Sequence, residues 1–319
     1  MKQIIAVTGA TGFIGQSICK RLNAQNFSVR ALVRSTRKAS LPALTGSEII
    51  AGDLANHDSL QRLVTGADAV IHCAGNVRGA TQAQFDDVNV VGTRSLLQAI
   101  KSTAITPRLL AISSLAAREP QLSFYASSKL RAEQVLQEEG SDIPWTILRP
   151  PAVYGPGDRE LLPVFRLMAR GIALTAGSPS ARFSMLFVDD LSAAVIAWLL
   201  GDPNVEGIFT LDDGQPHGYD WHDVSKIVSR LCKRKIRVVR TPSWLLDVPA
   251  WVNARLGNAF GTSPMLTPQK LRELRHNDWV CDGTEFQRAC DWMPAVQLEK
   301  GLQSTPGWAG CLDSATEKK

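Results

Sequence analysis

The octapeptide Thr8-Gly9-Ala10-Thr11-Gly12-Phe13-Ile14-Gly15 constrains this chain more than any other stretch. It joins a short β-branched run, Ile4 to Val7, to a segment from Phe13 to Leu22 whose apolar residues recur at helical spacing. Strand, glycine turn and helix follow one another without a spacer. In such a unit Gly9 permits the tight turn, Gly12 lets backbone approach a pyrophosphate, and Gly15 lets helix pack on strand. The helix N-terminus then offers free N–H donors to phosphate. A bare βα turn uses glycine as well, but the strand-turn-helix context favours a dinucleotide site made of Gly9, Thr11, Gly12, Phe13, Ile14 and Gly15.

The alternation continues. Val29 to Val33, Glu48 to Ala51, Ala69 to Cys73, Leu109 to Ile112 and Trp145 to Leu148 read as strands. Helical patterns lie between them, near Phe85 to Lys101 and Tyr125 to Glu138. This predicts an α/β fold of Rossmann type, a doubly wound parallel sheet of six strands with helices on both faces. After Pro150 the regularity loosens. We expect a dinucleotide-binding domain over 1–155 and a smaller, interleaved substrate domain over 156–319, with the strand and helix at about 183–201 returning to the first.

Composition removes several alternatives. With 319 residues, 45% of them hydrophobic and 20% charged, the chain can bury a large core. A net charge of +5 without basic runs interleaved with aromatics argues against nucleic-acid binding. The six cysteines lack any C-x-x-C pair, and the five histidines lack paired ligand spacing, so neither a disulfide scaffold nor a metal site is expected. No stretch reaches the ~18 apolar residues of a membrane span, and the N-terminus reads as a strand in place of a signal peptide. A cytoplasmic protein, with homodimerisation left open, is the expectation.

Charge is nevertheless uneven. Residues 1–47 contain no Asp or Glu but carry Lys2, Lys20, Arg21, Arg30, Arg34, Arg37 and Lys38. At the end of the second strand, where an acid usually meets the adenosine ribose of NAD, stands Arg34. Arg34, Arg37 and Lys38 together would attract a 2′-phosphate, so NADP(H) is expected in preference to NAD(H), which the site also admits. A solvated basic loop is the plainer alternative.

Tyr125-Ala126-Ser127-Ser128-Lys129 places a phenol and an ammonium four residues apart on a helix, hence on one face. An ammonium ~5 Å away favours the phenolate by roughly 3 kcal/mol, about two pK units. Tyr-x-x-x-Lys alone is common on amphipathic helices. Ser113-Ser114, at the carboxyl end of the preceding strand, makes it specific, because ligands bind at that end of a parallel sheet.

The ordered set TGATGFIG, AGDL, VIHCAG, NVVGT, ISS, YASSK and RPPAVYGPGD resembles the extended and atypical short-chain dehydrogenase/reductase superfamily, the NAD-dependent epimerase/dehydratase group, over roughly residues 1–200. The resemblance implies that Ser114 bonds the substrate oxygen, Tyr125 is the acid/base, and Lys129 holds the nicotinamide ribose. It further implies Asp53 and Leu54 near the adenine, Ala74 and Gly75 along the ribose and phosphate path, Pro150 and Val153 beside the nicotinamide, and Asn89 near the active centre.

Two departures bear on substrate. Leu115-Ala116 stand where family dehydratases carry Asp-Glu, and no asparagine lies between Gly155 and Pro203 to hold a sugar-nucleotide diphosphate, although Arg159, Arg166, Arg170 and Arg182 offer charge. The leading expectation is an oxidoreductase acting on a carbonyl or secondary alcohol. A nucleotide-sugar epimerase is the nearest rival, and a catalytically silent cofactor-binding scaffold the more distant one. Pro242 to Gly261 is rich in large apolar residues (Trp244, Leu245, Leu246, Val248, Trp251, Val252, Leu256, Phe260). It reads first as a core-packing helix, and otherwise as an apolar lid or a weakly membrane-facing surface.

Overall fold

The structure is a computed structural model that describes residues 2–34, 40–260 and 266–309, with backbone only at residue 254 and at 256–260. In chain order its first half comprises β1 (Ile4–Thr8), α1 (Phe13–Ala24), β2 (Ser28–Val33), β3 (Glu48–Ala51), α2 (His57–Val64), β4 (Ala69–His72), α3 (Gln82–Asp86), α4 (Gly92–Lys101), β5 (Arg108–Ile112), α5 (Phe124–Glu139) and β6 (Trp145–Arg149). There follow β7 (Ala152–Tyr154), α6 (Leu162–Ala169), β8 (Ile172–Thr175), β9 (Arg182–Phe183), β10 (Met185–Phe187), α7 (Val188–Leu200), β11 (Gly207–Thr210) and α8 (Trp221–Cys232). The chain continues through β12 (Arg237–Arg240), α9 (Ser243–Phe260), α10 (Pro268–Arg275), β13 (Asp278–Trp279), α11 (Thr284–Cys290) and α12 (Leu298–Gln303).

The main sheet has seven strands in the order β11-β6-β5-β4-β1-β2-β3, every neighbouring pair parallel. Strands this apolar demand cover on both faces. One face is buried by α1 and α7 through Ile18, Cys19, Leu22, Leu191, Val195 and Trp198. Helices α2, α4 and α5 close the other with Leu60, Leu63, Leu96, Ile100 and Leu136. A third core, around Tyr154, Phe165, Met168, Val228, Leu302 and Trp308, holds the later elements together.

Three details differ from the sequence reading. The strand also read from the sequence at Ile208 to Leu211 is β11, and it joins the main sheet as a seventh member, at the edge beside β6. The run at 183–201 divides, because α7 packs on α1 while β10 pairs with β7 in a separate two-stranded sheet. Pro150 and Pro151 explain this: neither has an N–H to continue a ladder after β6, and β11 already holds the next position. Finally, the core-packing reading of the segment at 242–261 fails. Trp244 is 65% exposed, Val248 59% and Trp251 54%, and Leu245 and Val252 are exposed as well. Only Ala250 is fully buried among the described α9 side chains. Leu256 and Phe260 lie outside the described side chains.

Candidate active site

Strand order reverses between β1 and β4, and their carboxyl ends lie side by side with Thr8 opposite His72. Gly9 has φ 68°, and a Cβ there would lie 2.5 Å from the Ala74 nitrogen. A Cβ on Gly15 would lie 2.2 Å from the Gly9 oxygen. Both glycines are therefore required by close approach. Gly12 is the N-cap of α1, exposed and with no side-chain cap, and no acid stands in the first turn. The Gln16 amide steadies the loop by donating to the Thr11 oxygen at 3.0 Å, and Phe13 and Ile14 begin the helix half-buried. An uncapped, acid-free helix start beside an exposed glycine fits a diphosphate.

Arg34 is exposed at the end of β2, while Arg37 and Lys38 lie outside the described residues. Asp53 is exposed and accepts from the Ala55 N–H at 3.0 Å in a tight turn. Leu54 is half-buried against Gly92, where an added Cβ would come within 2.5 Å of it.

Beneath the site runs a buried hydrogen-bond chain. The Ala74 N–H donates to Thr8 Oγ1 at 3.2 Å, and Thr8 Oγ1 lies 2.7 Å from His72 Nδ1. His72 Nε2 in turn lies 3.1 Å from Thr93 Oγ1, which donates to the Asn89 oxygen at 2.6 Å. Because Thr93 spends its proton on Asn89, it accepts from His72, which assigns the proton to Nε2. Burial, helped by the Lys129 charge, lowers His72 to about 3, so the ring is neutral.

Asn89 lies inside a helical run. It is buried in a single π-helical turn, 87–91, accepts from the Asn76 N–H at 2.7 Å and donates to Ser128 Oγ at 2.8 Å. Asn89 thus ties the β4 loop to α5 and lies beneath it, while Gly75 is exposed above Lys129.

Ser114 caps the turn 115–118, accepting from the Ala116 N–H at 3.1 Å, and its hydroxyl is close enough to the Tyr125 phenol to favour the phenolate. Ser123 caps α5 two residues before Tyr125 and donates to Glu273 of α10. Lys129 is buried and donates to the Ile112 oxygen at 3.0 Å. A Cβ on Gly75 would stand 3.3 Å from both Lys129 Nζ and Asn89 Oδ1. Pro150 is buried, its oxygen accepting from the Leu115 N–H at 2.9 Å, and Val153 is half-buried. Ser114, Tyr125, Lys129, Asn89, Ala74 and Gly75 therefore gather at the carboxyl ends of β4 and β5.

The expected lowering of Tyr125 is not what the structure gives. Burial pushes the phenol up to about 12, the Ser114 hydroxyl opposes this, and the Glu273 charge adds to it. Spacing on the helix omitted desolvation. The same burial lowers Lys129 to about 8, against the opposing charge of Glu133.

Sequence reasoning missed Glu133 and Glu273. Glu133 is 2% exposed, receives both ends of Arg149 at 2.5–3.1 Å and accepts from Ser113. Its place four residues after Lys129 on α5 was a usable signal. Nothing local to Glu273 announces its approach to Ser123. Among the described residues no cluster of three metal-ligating side chains occurs, and no helix is long and apolar enough to cross a membrane.

Fold and site together define an α/β enzyme built around a dinucleotide cofactor. A model of the NAD dependent epimerase/dehydratase family matches residues 5–207, and the chain belongs to that family. It is 35% identical over 312 residues to a ceramide reductase of Caulobacter vibrioides, covering 91% of this chain and 96% of that one. It is 25% identical over 335 residues to a UDP-glucose 4-epimerase of Vibrio cholerae, covering 96% and 95%. Among solved structures, the UDP-glucuronic acid 4-epimerase of Bacillus cereus in complex with UDP-glucuronic acid and NAD aligns with TM-score 0.74 over 99% of this chain and 100% of that chain at 20% identity.

Proposed function

We propose that the protein reduces an apolar, lipid-like carbonyl compound to the secondary alcohol at the expense of NADPH, with residues 156–319 forming most of the substrate domain. The observation that carries this reading is the gathering of Ser114, Tyr125 and buried Lys129 at the carboxyl ends of β4 and β5, with Leu115-Ala116 in place of acidic residues. The reduced nicotinamide supplies the hydride when bound. Tyr125, held up at about 12, carries its proton at neutral pH and is matched to donate it to the oxygen of the carbonyl being reduced. Ser114 holds that oxygen. Lys129, at about 8, keeps its charge at pH 7 and lies beneath the loop where the cofactor ribose would rest. Gly9 to Gly15 would hold the diphosphate, Leu54, Ala74 and Gly75 the adenosine and ribose path, Pro150 and Val153 the nicotinamide, and Arg34 a 2′-phosphate.

The similarity to a ceramide reductase over nearly its whole length supports a long-chain substrate. The test is NADPH consumption measured side by side on long-chain acyl ketones and on UDP-sugars, with NADH as the alternative donor. Turnover of the ketones with NADPH is expected, and a ten- to hundredfold cofactor preference that Arg34→Ala removes, since one charged contact to phosphate contributes about 1.5–3 kcal/mol. Interconversion of UDP-sugars without net cofactor consumption would replace this reading with an epimerase.

A further inference from the structure

Helix α9 faces the wrong way for a core helix. Trp244, Val248 and Trp251 are spaced by four and three residues, so they form one stripe, and Leu245 and Val252 flank it. An ordinary surface helix turns such a stripe inward. Here it points to solvent, while the opposite side holds Ala250 and is anchored by the Asp247–Arg275 ion pair at 2.8 Å.

Further apolar side chains are exposed in the strand that leads into α9 and in its partner. Strand β12 leads into α9 across Pro242, and in the β8–β12 ribbon Arg237 stands opposite Ile172 and Val239 opposite Leu174. Alternation puts these four on one face, and all four are exposed. Lys233, Arg234, Lys235 and Arg240 are exposed beside them. Between residues 230 and 260 seven Lys and Arg stand against a single Asp, giving +6, more than the +5 of the whole chain. Arg255 lies over the Trp251 ring at 4.6 Å.

We propose that this face docks the protein on an anionic phospholipid bilayer, with Trp244, Val248 and Trp251 entering the headgroup region and the surrounding cations meeting lipid phosphates. Tryptophan and aliphatic residues ringed by lysine and arginine match the interface between hydrocarbon and charged headgroup. A second copy of the chain is a poor occupant, because it would bring two +6 faces together. The docked face communicates with the site: α9 packs on α10, whose Glu273 bonds Ser123 at the head of the catalytic helix. That the membrane also delivers the substrate rests on the function proposed above, whereas docking itself does not.

The test is co-sedimentation of the full chain with vesicles of phosphatidylcholine alone and mixed with phosphatidylglycerol, at low and raised salt. Binding is expected only to the mixed vesicles and is weakened by salt. Trp244→Ser with Trp251→Ser should weaken it by roughly tenfold or more, and Arg237→Ala with Arg240→Ala by about fivefold for each cation removed. Turnover of a short, water-soluble ketone should be unchanged in both variants, which shows that they fold. The proposal is overturned if the wild type ignores phosphatidylglycerol, if both variants bind as it does, or if light scattering finds a dimer that the tryptophan variant dissolves. Vesicle binding without any ketone reduction would sink the proposed substrate and leave docking standing.

Discussion

Helices α5 and α9 depart from the inside-apolar rule in opposite senses. Helix α5 buries Ser128, Lys129 and Glu133, while α9 exposes Trp244, Val248 and Trp251. The buried groups of α5 are all partnered, Lys129 by the Ile112 oxygen, Ser128 by Asn89, and Glu133 by Arg149 and Ser113. Desolvation of those charges is offset by hydrogen bonds within the chain. The exposed stripe of α9 has no counterpart among the described residues. Charges taken out of water at this cost mark a candidate site, and apolar side chains left in water mark a candidate docking surface.

The largest effect should come from Tyr125 and Lys129 of α5, the pair proposed to react. Tyr125→Phe removes only the proton-donating hydroxyl, so kcat should fall by about 10²- to 10⁴-fold with cofactor affinity nearly intact. Lys129→Ala should lose both. Steady-state kinetics with cofactor titration separates the two, and normal turnover by Tyr125→Phe would remove α5 from the chemistry and end the contrast with α9.

Next in size is the support of that pair. Glu133→Ala strands Arg149, whose side chain is 20% exposed, without its carboxylate and should cost about 3–5 kcal/mol of stability in urea unfolding. Glu133→Gln should cost less, because a carbonyl still accepts from Arg149 and Ser113. A loss under about 1 kcal/mol for Glu133→Ala would mean that the buried polar face of α5 is not what holds it.

The contrast between the helices also marks what the sequence could tell. Glycine spacing, β-branched runs and the Ser114, Tyr125, Lys129 order are local, so the parallel sheet and the grouping of these three residues at one end of it were readable. Direction was not. Periodicity groups Trp244, Val248 and Trp251 on one face but does not say which way that face turns, because this depends on what α10 and the β8–β12 ribbon leave uncovered. Nor can spacing give a dielectric: the ammonium one turn from Tyr125 was legible, and the burial that outweighs it was not. Glu273 meets Ser123 across 150 residues through the packing of α10, with no local trace in either segment.

His72, beneath Lys129, extends the argument to pH. Its value is held at about 3 in the folded chain, mainly by burial, against 6.5 ordinarily. The unfolded chain therefore takes up a proton between these values that the folded chain refuses. Stability is fully present above pH 6.5 and is lost as pH falls toward 3, by up to about 1.4 kcal/mol per pH unit from this group. Urea midpoints from pH 6.5 to 4 should fall less steeply in His72→Asn, by about one proton's worth of slope. Parallel curves would show that another group carries the acid sensitivity.

The smallest expected effect is the sharpest check on α9. Val248 is 59% exposed, so Val248→Ser removes little buried area, and valine and serine have similar helix propensities. The unfolding free energy from urea denaturation should change by no more than about 0.5 kcal/mol, as for other surface changes. Val228, fully buried in the third core, sets the scale: Val228→Ala removes two methyl groups from a packed interior and should cost about 2 kcal/mol. If Val248→Ser cost as much as Val228→Ala, its side chain would be packed within the folded chain, α9 would be a core helix after all, and the face assigned to the bilayer would lose the centre of its stripe.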